Sequence, residues 1–93
     1  MINDSVIIIG GGHNGLVCAT FLANAGKKVT VLEAGEQVGG MAATREFAAG
    51  FKASTAHLMN LLDHDISSQM KLSANGLSIA SKALDTIALD ADG

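Results

Sequence analysis

The sequence predicts an α/β fold that opens on a βαβ unit. Three observations predict it. Val6-Ile7-Ile8-Ile9 is an unbroken β-branched run. The glycine-rich turn Gly10-Gly11-Gly12-His13-Asn14-Gly15 follows it directly. A second apolar run, Val29-Thr30-Val31-Leu32, ends at Glu33, eighteen residues beyond Gly15.

Each element follows from its residues. A continuous β-branched run suits a strand buried on both faces, as in a parallel sheet. The glycines then force a turn. Residues 14–25 read as a helix whose large apolar positions are Leu16, Val17, Phe21 and Leu22. The small residues Ala19 and Ala23 allow it to approach the sheet closely. Gly26 stops it, because glycine tolerates the left-handed cap. Lys27 and Lys28 sit at its negative end. The second strand runs from Val29 to Glu33, and a connection of this length predicts a parallel pair.

Beyond Glu33 the pattern weakens. Residues 34–56 read mostly as loop, with a short helical turn starting near Gly40. Residues 57–72 read as a helix in one or two pieces, although Leu58, Leu61, Leu62, Asp65 and Ile66 make no clean stripe. Asn75-Gly76 is a turn signal. Residues 77–80 and 86–89 read as short strands. Asp92-Gly93 follows an apolar run, where such a pair normally opens a return strand.

Bulk properties narrow the function classes. A chain of 93 residues makes one small domain, and a globule of that size has a marginal core, burying roughly 60–65% of its unfolded surface. A net charge of −3 with no Trp or Tyr argues against a nucleic-acid partner, which calls for a basic face and stacking aromatics. The single Cys18 excludes an internal disulfide or dithiol centre and fits a reducing compartment. The first five residues lack a basic n-region, and Val6 to Ile9 is too short for a signal peptide or a membrane span. A cytoplasmic protein is the expectation.

The chemistry is concentrated in the first forty residues. Gly10 lets the chain turn sharply out of the strand. Gly12 lets a pyrophosphate approach the backbone, and Gly15 lets the helix pack on the strand. The helix start offers free N–H groups and the positive dipole end to phosphates. His13 and Asn14 fill the variable positions, and His13 reads as a loop residue rather than a catalytic base. Glu33 is placed to accept the hydroxyls of an adenosine ribose, where its charge disfavours a 2′-phosphate. A GxGxxG alone is weak, but here it follows a strand, opens a helix and has its acid in place.

Residues 7–40 resemble the amino-terminal signature of the FAD-dependent oxidoreductases of the amine oxidase and phytoene desaturase superfamily. The matching positions are Gly10, Gly12, Gly15, Ala19, Leu22, Gly26, Val29, Val31, Glu33 and the pair Gly39-Gly40. The continuation Gly39-Gly40-Met41-Ala42-Ala43-Thr44-Arg45-Glu46-Phe47, with Gly50-Phe51-Lys52-Ala53-Ser54, is similar to the phytoene-dehydrogenase-like branch. That branch includes the pyridine nucleotide-disulphide oxidoreductase domain-containing proteins. The resemblance implies a Rossmann-like FAD-binding domain with an incomplete parallel sheet. Residues 1–40 would form its dinucleotide unit, and residues 41–93 the start of a flavin-covering or substrate region.

The resemblance also implies site residues. Gly10, Gly12, His13, Asn14 and Gly15 would hold the pyrophosphate. Glu33, with Ala34 beside it, would hold the ribose. Gly39, Gly40, Met41 and Ala42 would run along the ribityl chain. Family members often carry arginines where this chain has Gly35 and Gln37, and Met41 supplies no cation either. Arg45 and Lys52 read as solvated loop positions, with positive charge near the cofactor as the alternative for both. No catalytic residue is assigned.

The implied activity is hydride abstraction by a flavoprotein acting on a small or lipid-like substrate. Family members are several times longer, so the chain is expected to be a catalytically incomplete piece that self-associates. Besides a structural or regulatory fragment that merely inherited the motif, two alternatives stand beside this reading. One is the NAD-binding domain of a dehydrogenase, against which Gly39-Gly40 argues. The other is a non-catalytic module similar to the Rab GDP-dissociation inhibitors, against which the intact glycines and Glu33 argue.

Other constellations read as structural. His57 and His64 are seven apart, and neither has a ligand partner at i, i+4, so with Asp63 and Asp65 they read as the polar side of a helix. Asp85, Asp90 and Asp92 lack the EF-hand spacing. Ser54, Thr55 and Ser67 lack a nucleophile elbow. Met59 and Met70 read as gap-filling core.

Overall fold

The computed structural model describes residues 4–56, 62–85 and 87–91. The strand β1 (Ser5–Ile9), the helix α1 (His13–Asn24) and the strand β2 (Lys28–Leu32) form the βαβ unit. The strands pair in parallel, with Val6 opposite Val29 and Ile8 opposite Val31. Those four side chains are half-buried on the face that α1 covers, together with Leu16, Val17, Phe21 and Leu22 of the helix. Strand alternation sends the intervening residues to the other face. There Ile7, Ile9 and Leu32 are 64%, 87% and 51% exposed. This corrects the expectation that β1 is buried on both faces: among the described residues one face is covered and the other is open. No large apolar side chain among them is fully buried.

The turns at both ends of α1 follow the glycines. Gly10 leaves β1 at φ 104°, and Gly26 closes the helix at φ 84°, both in the left-handed region. The Gly10 N–H donates to the Leu32 carbonyl at 2.7 Å and carries the parallel pairing one residue past the strands. Lys27 forms an ion pair with Asp4 at the opposite end of the unit.

Residues 34–56 hold more order than the sequence shows. A single 3-10 turn (Gly40–Ala42) lies where a helical turn is expected. It is followed by an antiparallel hairpin of β3 (Arg45–Ala48) and β4 (Phe51–Ala53). Its pairing is irregular between Glu46 and Ala48, which leaves Phe47 as a bulge, and Gly50 takes φ 82° in the turn. Lys52 faces Glu46 across the pair, and the Phe47 and Phe51 rings lie 6.4 Å apart.

The later elements need correction. The predicted helix over 57–72 is a short α2 (His64–Gln69), capped by Asp63, whose Oδ1 accepts from the Ile66 N–H at 2.8 Å. Residues 57–61, including His57 and Met59, lie outside the described residues, as do Thr86 and Asp92-Gly93. The strands expected at 77–80 and 86–89 do not form among the described residues. Leu77, Ile79, Leu84, Ile87 and Leu89 remain exposed there. The two short strands therefore precede the helix rather than follow it.

Candidate functional site

The site forms where the glycine turn, the end of β2 and the Gly39-Gly40 turn meet. Gly15 fixes the first contact. A Cβ on Gly15 would lie 2.1 Å from the Gly10 carbonyl oxygen, so only glycine lets α1 seat against the turn. The first helical hydrogen bond runs from the Leu16 N–H to the Gly12 carbonyl at 2.9 Å. The preceding N–H groups have no acceptor within the helix, and no side chain caps them. His13 and Asn14 are exposed at this helix start.

Glu33 is held by the backbone on both oxygens. Its Oε2 accepts from the Gly11 N–H at 2.7 Å and its Oε1 from the Gly35 N–H at 2.9 Å. These two N–H groups, Gly35 first, hold the carboxyl below the usual glutamate range, and the charge of Arg45 adds to them. The carboxylate is thus ionised and oriented, and it is solvent-accessible. A carboxylate has about four lone-pair sites, so two remain for an incoming hydroxyl. Ala34 follows it, exposed on the connecting loop.

The Gly39-Gly40 turn docks directly onto the glycine turn. The Gly39 N–H donates to the Gly11 carbonyl at 2.7 Å, and Gly12 and Gly39 form an isolated parallel bridge. A Cβ on Gly40 would lie 3.1 Å from the Gly12 α-carbon. The 3-10 turn is then tied to the hairpin. Ser54 Oγ and Thr55 Oγ1 both donate to the Met41 carbonyl at 3.0 Å, and Arg45 Nη2 donates to the Gly40 carbonyl at 3.4 Å. Met41 itself is 73% exposed at the rim.

The structure therefore brings together Gly10, Gly12, His13, Asn14, Gly15, Glu33, Gly39, Gly40, Met41 and Ala42, with Ala34 on the loop leaving Glu33. It adds residues that the sequence does not single out. Gly11 is buried, and a Cβ there would meet Val38 Cγ1 at 2.9 Å and Glu33 Oε2 at 3.0 Å. In the sequence it is merely the variable position between two motif glycines. Arg45, expected in a solvated loop, reaches the Gly-Gly turn instead. Ser54 and Thr55, lacking any nucleophile context, serve as donors to that turn.

Gly12 differs from its neighbours. Its backbone is extended (φ −74°, ψ 179°), which any residue adopts. A Cβ there would meet nothing nearer than Gly40 Cα at 4.0 Å. Packing within the protein does not require glycine at this position, and the space its missing side chain leaves adjoins the uncapped N–H groups of α1.

Gly40→Ala is expected to pry the two turns apart. It combines the 3.1 Å contact with φ +58°, a left-handed conformation costing an L-residue about 1–2 kcal/mol. Hydrogen exchange at the Gly39 amide should accelerate, while exchange in β1 and β2 stays slow.

Among the described residues no three or more His, Cys, Asp or Glu side chains come together as a metal site. No helix among them is long and apolar enough to cross a membrane. Cys18 is exposed on α1.

Comparison with known proteins places this geometry. The family model of the NAD(P)-binding Rossmann-like domain matches residues 8–70. The pyridine nucleotide-disulfide oxidoreductase domain-containing protein 2 of Mus musculus is 40% identical over 74 residues, covering 78% of this chain and 13% of its own. A limonene dehydrogenase polypeptide of Castellaniella defragrans is 46% identical over 59 residues, 62% of this chain and 11% of its own. The (S)-6-hydroxynicotine oxidase of Paenarthrobacter nicotinovorans is 58% identical over 40 residues, 43% of this chain and 9% of its own. The chain thus matches only a small part of each of these relatives. No solved structure matches it. With the glycine turn, the acid after β2 and a family match over most of its length, the chain belongs to the NAD(P)-binding Rossmann-like domain family.

Proposed function

We propose that this chain supplies the adenosine-diphosphate half of an FAD site in a flavin-dependent oxidoreductase. The observation that carries the reading is Gly12: a glycine that no contact within the protein demands, beside an uncapped helix start. A pyrophosphate lying against Gly12 and the first turn of α1 accounts for both. Glu33, held ionised by the Gly11 and Gly35 amides, accepts the adenosine ribose hydroxyls. Its charge repels a 2′-phosphate.

Two further features favour FAD over a nicotinamide cofactor. The Gly39-Gly40 turn extends the glycine surface beyond Gly12, which leaves room for a cofactor that continues past the pyrophosphate. One relative is named an oxidase and another a dehydrogenase, and dioxygen chemistry belongs to flavins rather than nicotinamides. When bound, the flavin would accept the hydride. This chain's residues would bind and orient its adenosine half.

Titration of the isotopically labelled protein with ADP, FAD, NAD and NADP, followed by amide chemical shifts, tests the reading. ADP and FAD should move the Gly10 to Gly15 amides alike. FAD should move Met41 and Ala42 beyond what ADP or NAD does, and NADP should bind least. Glycine amides unmoved by any of the four ligands would overturn it, as would NADP binding equal to that of FAD.

A further inference from the structure

Arg45 lies five residues beyond Gly40 and is the first residue of β3. The hairpin register sets it opposite Ala53. From there its Nη2 reaches the Gly40 carbonyl at 3.4 Å. Gly40 in turn abuts Gly12, where a Cβ on Gly40 would lie 3.1 Å from the Gly12 α-carbon. The guanidinium is therefore hydrogen-bonded to the residue that abuts Gly12. Its charge is also felt at Glu33, on the other side of the same turn.

The other cations are placed elsewhere. Lys27 pairs with Asp4 at the far end of the βαβ unit. Lys28 begins β2 at that same end. Lys52 faces Glu46 across the hairpin. Lys71 and Lys82 follow α2. Among the described residues, Arg45 is the Lys or Arg whose side chain is hydrogen-bonded to the Gly-Gly turn.

Charge balance gives this placement a use. A pyrophosphate brings about two negative charges beside the ionised Glu33, and the helix end offers only about half a positive charge against them. A guanidinium carries five N–H donors in a fork that fits phosphate oxygens. The single long hydrogen bond to Gly40 leaves most of that fork free.

We propose that Arg45 is a ligand-binding residue that donates to the pyrophosphate held at Gly12. This rests on the dinucleotide reading above and extends it to a residue outside the glycine motif. The hairpin of β3 and β4 is then part of the site. It delivers Arg45 to the phosphates and, through Ser54 and Thr55, fixes the turn beneath them.

The test compares ADP with adenosine, which lacks the phosphates, on the wild-type protein, R45Q and R45K, with amide shifts reporting binding. The glutamine removes the charge and the fork and is two atoms shorter, so it also gives up the Gly40 contact. The adenosine arm separates loss of that turn support from loss of the phosphate contact. R45Q should bind ADP about tenfold more weakly, the order expected for one charge-assisted hydrogen bond, and should bind adenosine as the wild type does. R45K should recover part of the loss. Equal ADP affinity in R45Q and wild type would overturn the proposal. So would a parallel loss for ADP and adenosine, which would make Arg45 a support of the turn alone. If the wild-type protein binds adenosine but gains nothing from the phosphates, the pyrophosphate site fails and the role of Arg45 fails with it.

Discussion

Gly15→Ala is expected to break the βαβ unit, with a larger cost than any other single-methyl addition in it. The added Cβ would lie 2.1 Å from the Gly10 carbonyl oxygen and 3.4 Å from Ile8 Cγ2. The oxygen cannot rotate away as a side chain could. It belongs to a peptide fixed by Gly10, whose N–H is bonded to the Leu32 carbonyl at 2.7 Å and whose φ is 104°. The helix must move instead, and moving it uncovers Val6, Ile8, Val29 and Val31. Overpacking of this kind costs about 1–3 kcal/mol or more, against a total stability of roughly 5–15 kcal/mol for an ordinary domain. Gly26→Ala is the control. It meets nothing within 4 Å and bears only the strain of φ 84°, about 1–2 kcal/mol. Urea unfolding followed by far-UV circular dichroism should show G15A unfolding at much lower denaturant than G26A. Equal midpoints would mean that the helix does not depend on the Gly10–Gly15 contact.

The same contact explains why the first forty residues were legible in the sequence. Each decisive feature there is local: a β-branched run, a glycine at a positive φ, an acid at a fixed distance. The helix and strand bounds shift by only a residue or so between expectation and structure, to His13–Asn24 and Lys28–Leu32. The hairpin was not legible because its signals cancel. The bulge at Phe47 breaks the two-residue alternation, its turn is Ala49-Gly50 rather than an Asn-Gly pair, and alanine has little strand propensity. The apolar residues from Leu77 to Leu89 erred in the opposite direction. They have strand composition, but a strand needs a neighbouring edge, and among the described residues none pairs with them.

The site itself was half legible. Gly10, Gly12, Gly15, Glu33 and the Gly-Gly pair could be read as motif positions. The way they engage each other could not, because it runs through backbone groups that every residue carries. Gly11 is the hinge of that network: its N–H holds Glu33 and its carbonyl holds Gly39. Arg45, Ser54 and Thr55 enter only because the hairpin folds back on the turn. Their sequence positions, in a stretch read as loop, carry no such signal.

Glu33→Gln is expected to remove an acid-sensitive part of the protein's stability and to loosen the Gly-Gly turn. In the wild type both carboxylate oxygens accept backbone N–H groups, from Gly11 at 2.7 Å and Gly35 at 2.9 Å. An amide offers one oxygen, and its NH₂ would face the remaining N–H, donor against donor. Because the folded protein holds the Glu33 carboxyl below its ordinary value, the unfolded chain takes up a proton first as pH falls. The stabilisation is therefore complete above the ordinary glutamate pKa of about 4.3 and is lost as pH falls through the lower, folded value. The difference in unfolding midpoint between wild type and E33Q should be constant near neutrality. It should shrink only in acid, below that ordinary value. Every other charged group, the Asp4–Lys27 pair included, is common to both proteins and cancels in the difference. Amide exchange provides the local reading: in E33Q the Gly11, Gly35 and Gly39 amides should all exchange faster, the last because its acceptor is the Gly11 carbonyl. A wild-type minus E33Q difference that stays flat into acid would show that the carboxylate charge does not hold the turn. Exchange confined to Gly35 would show that Gly11 does not transmit the loss to the Gly-Gly pair.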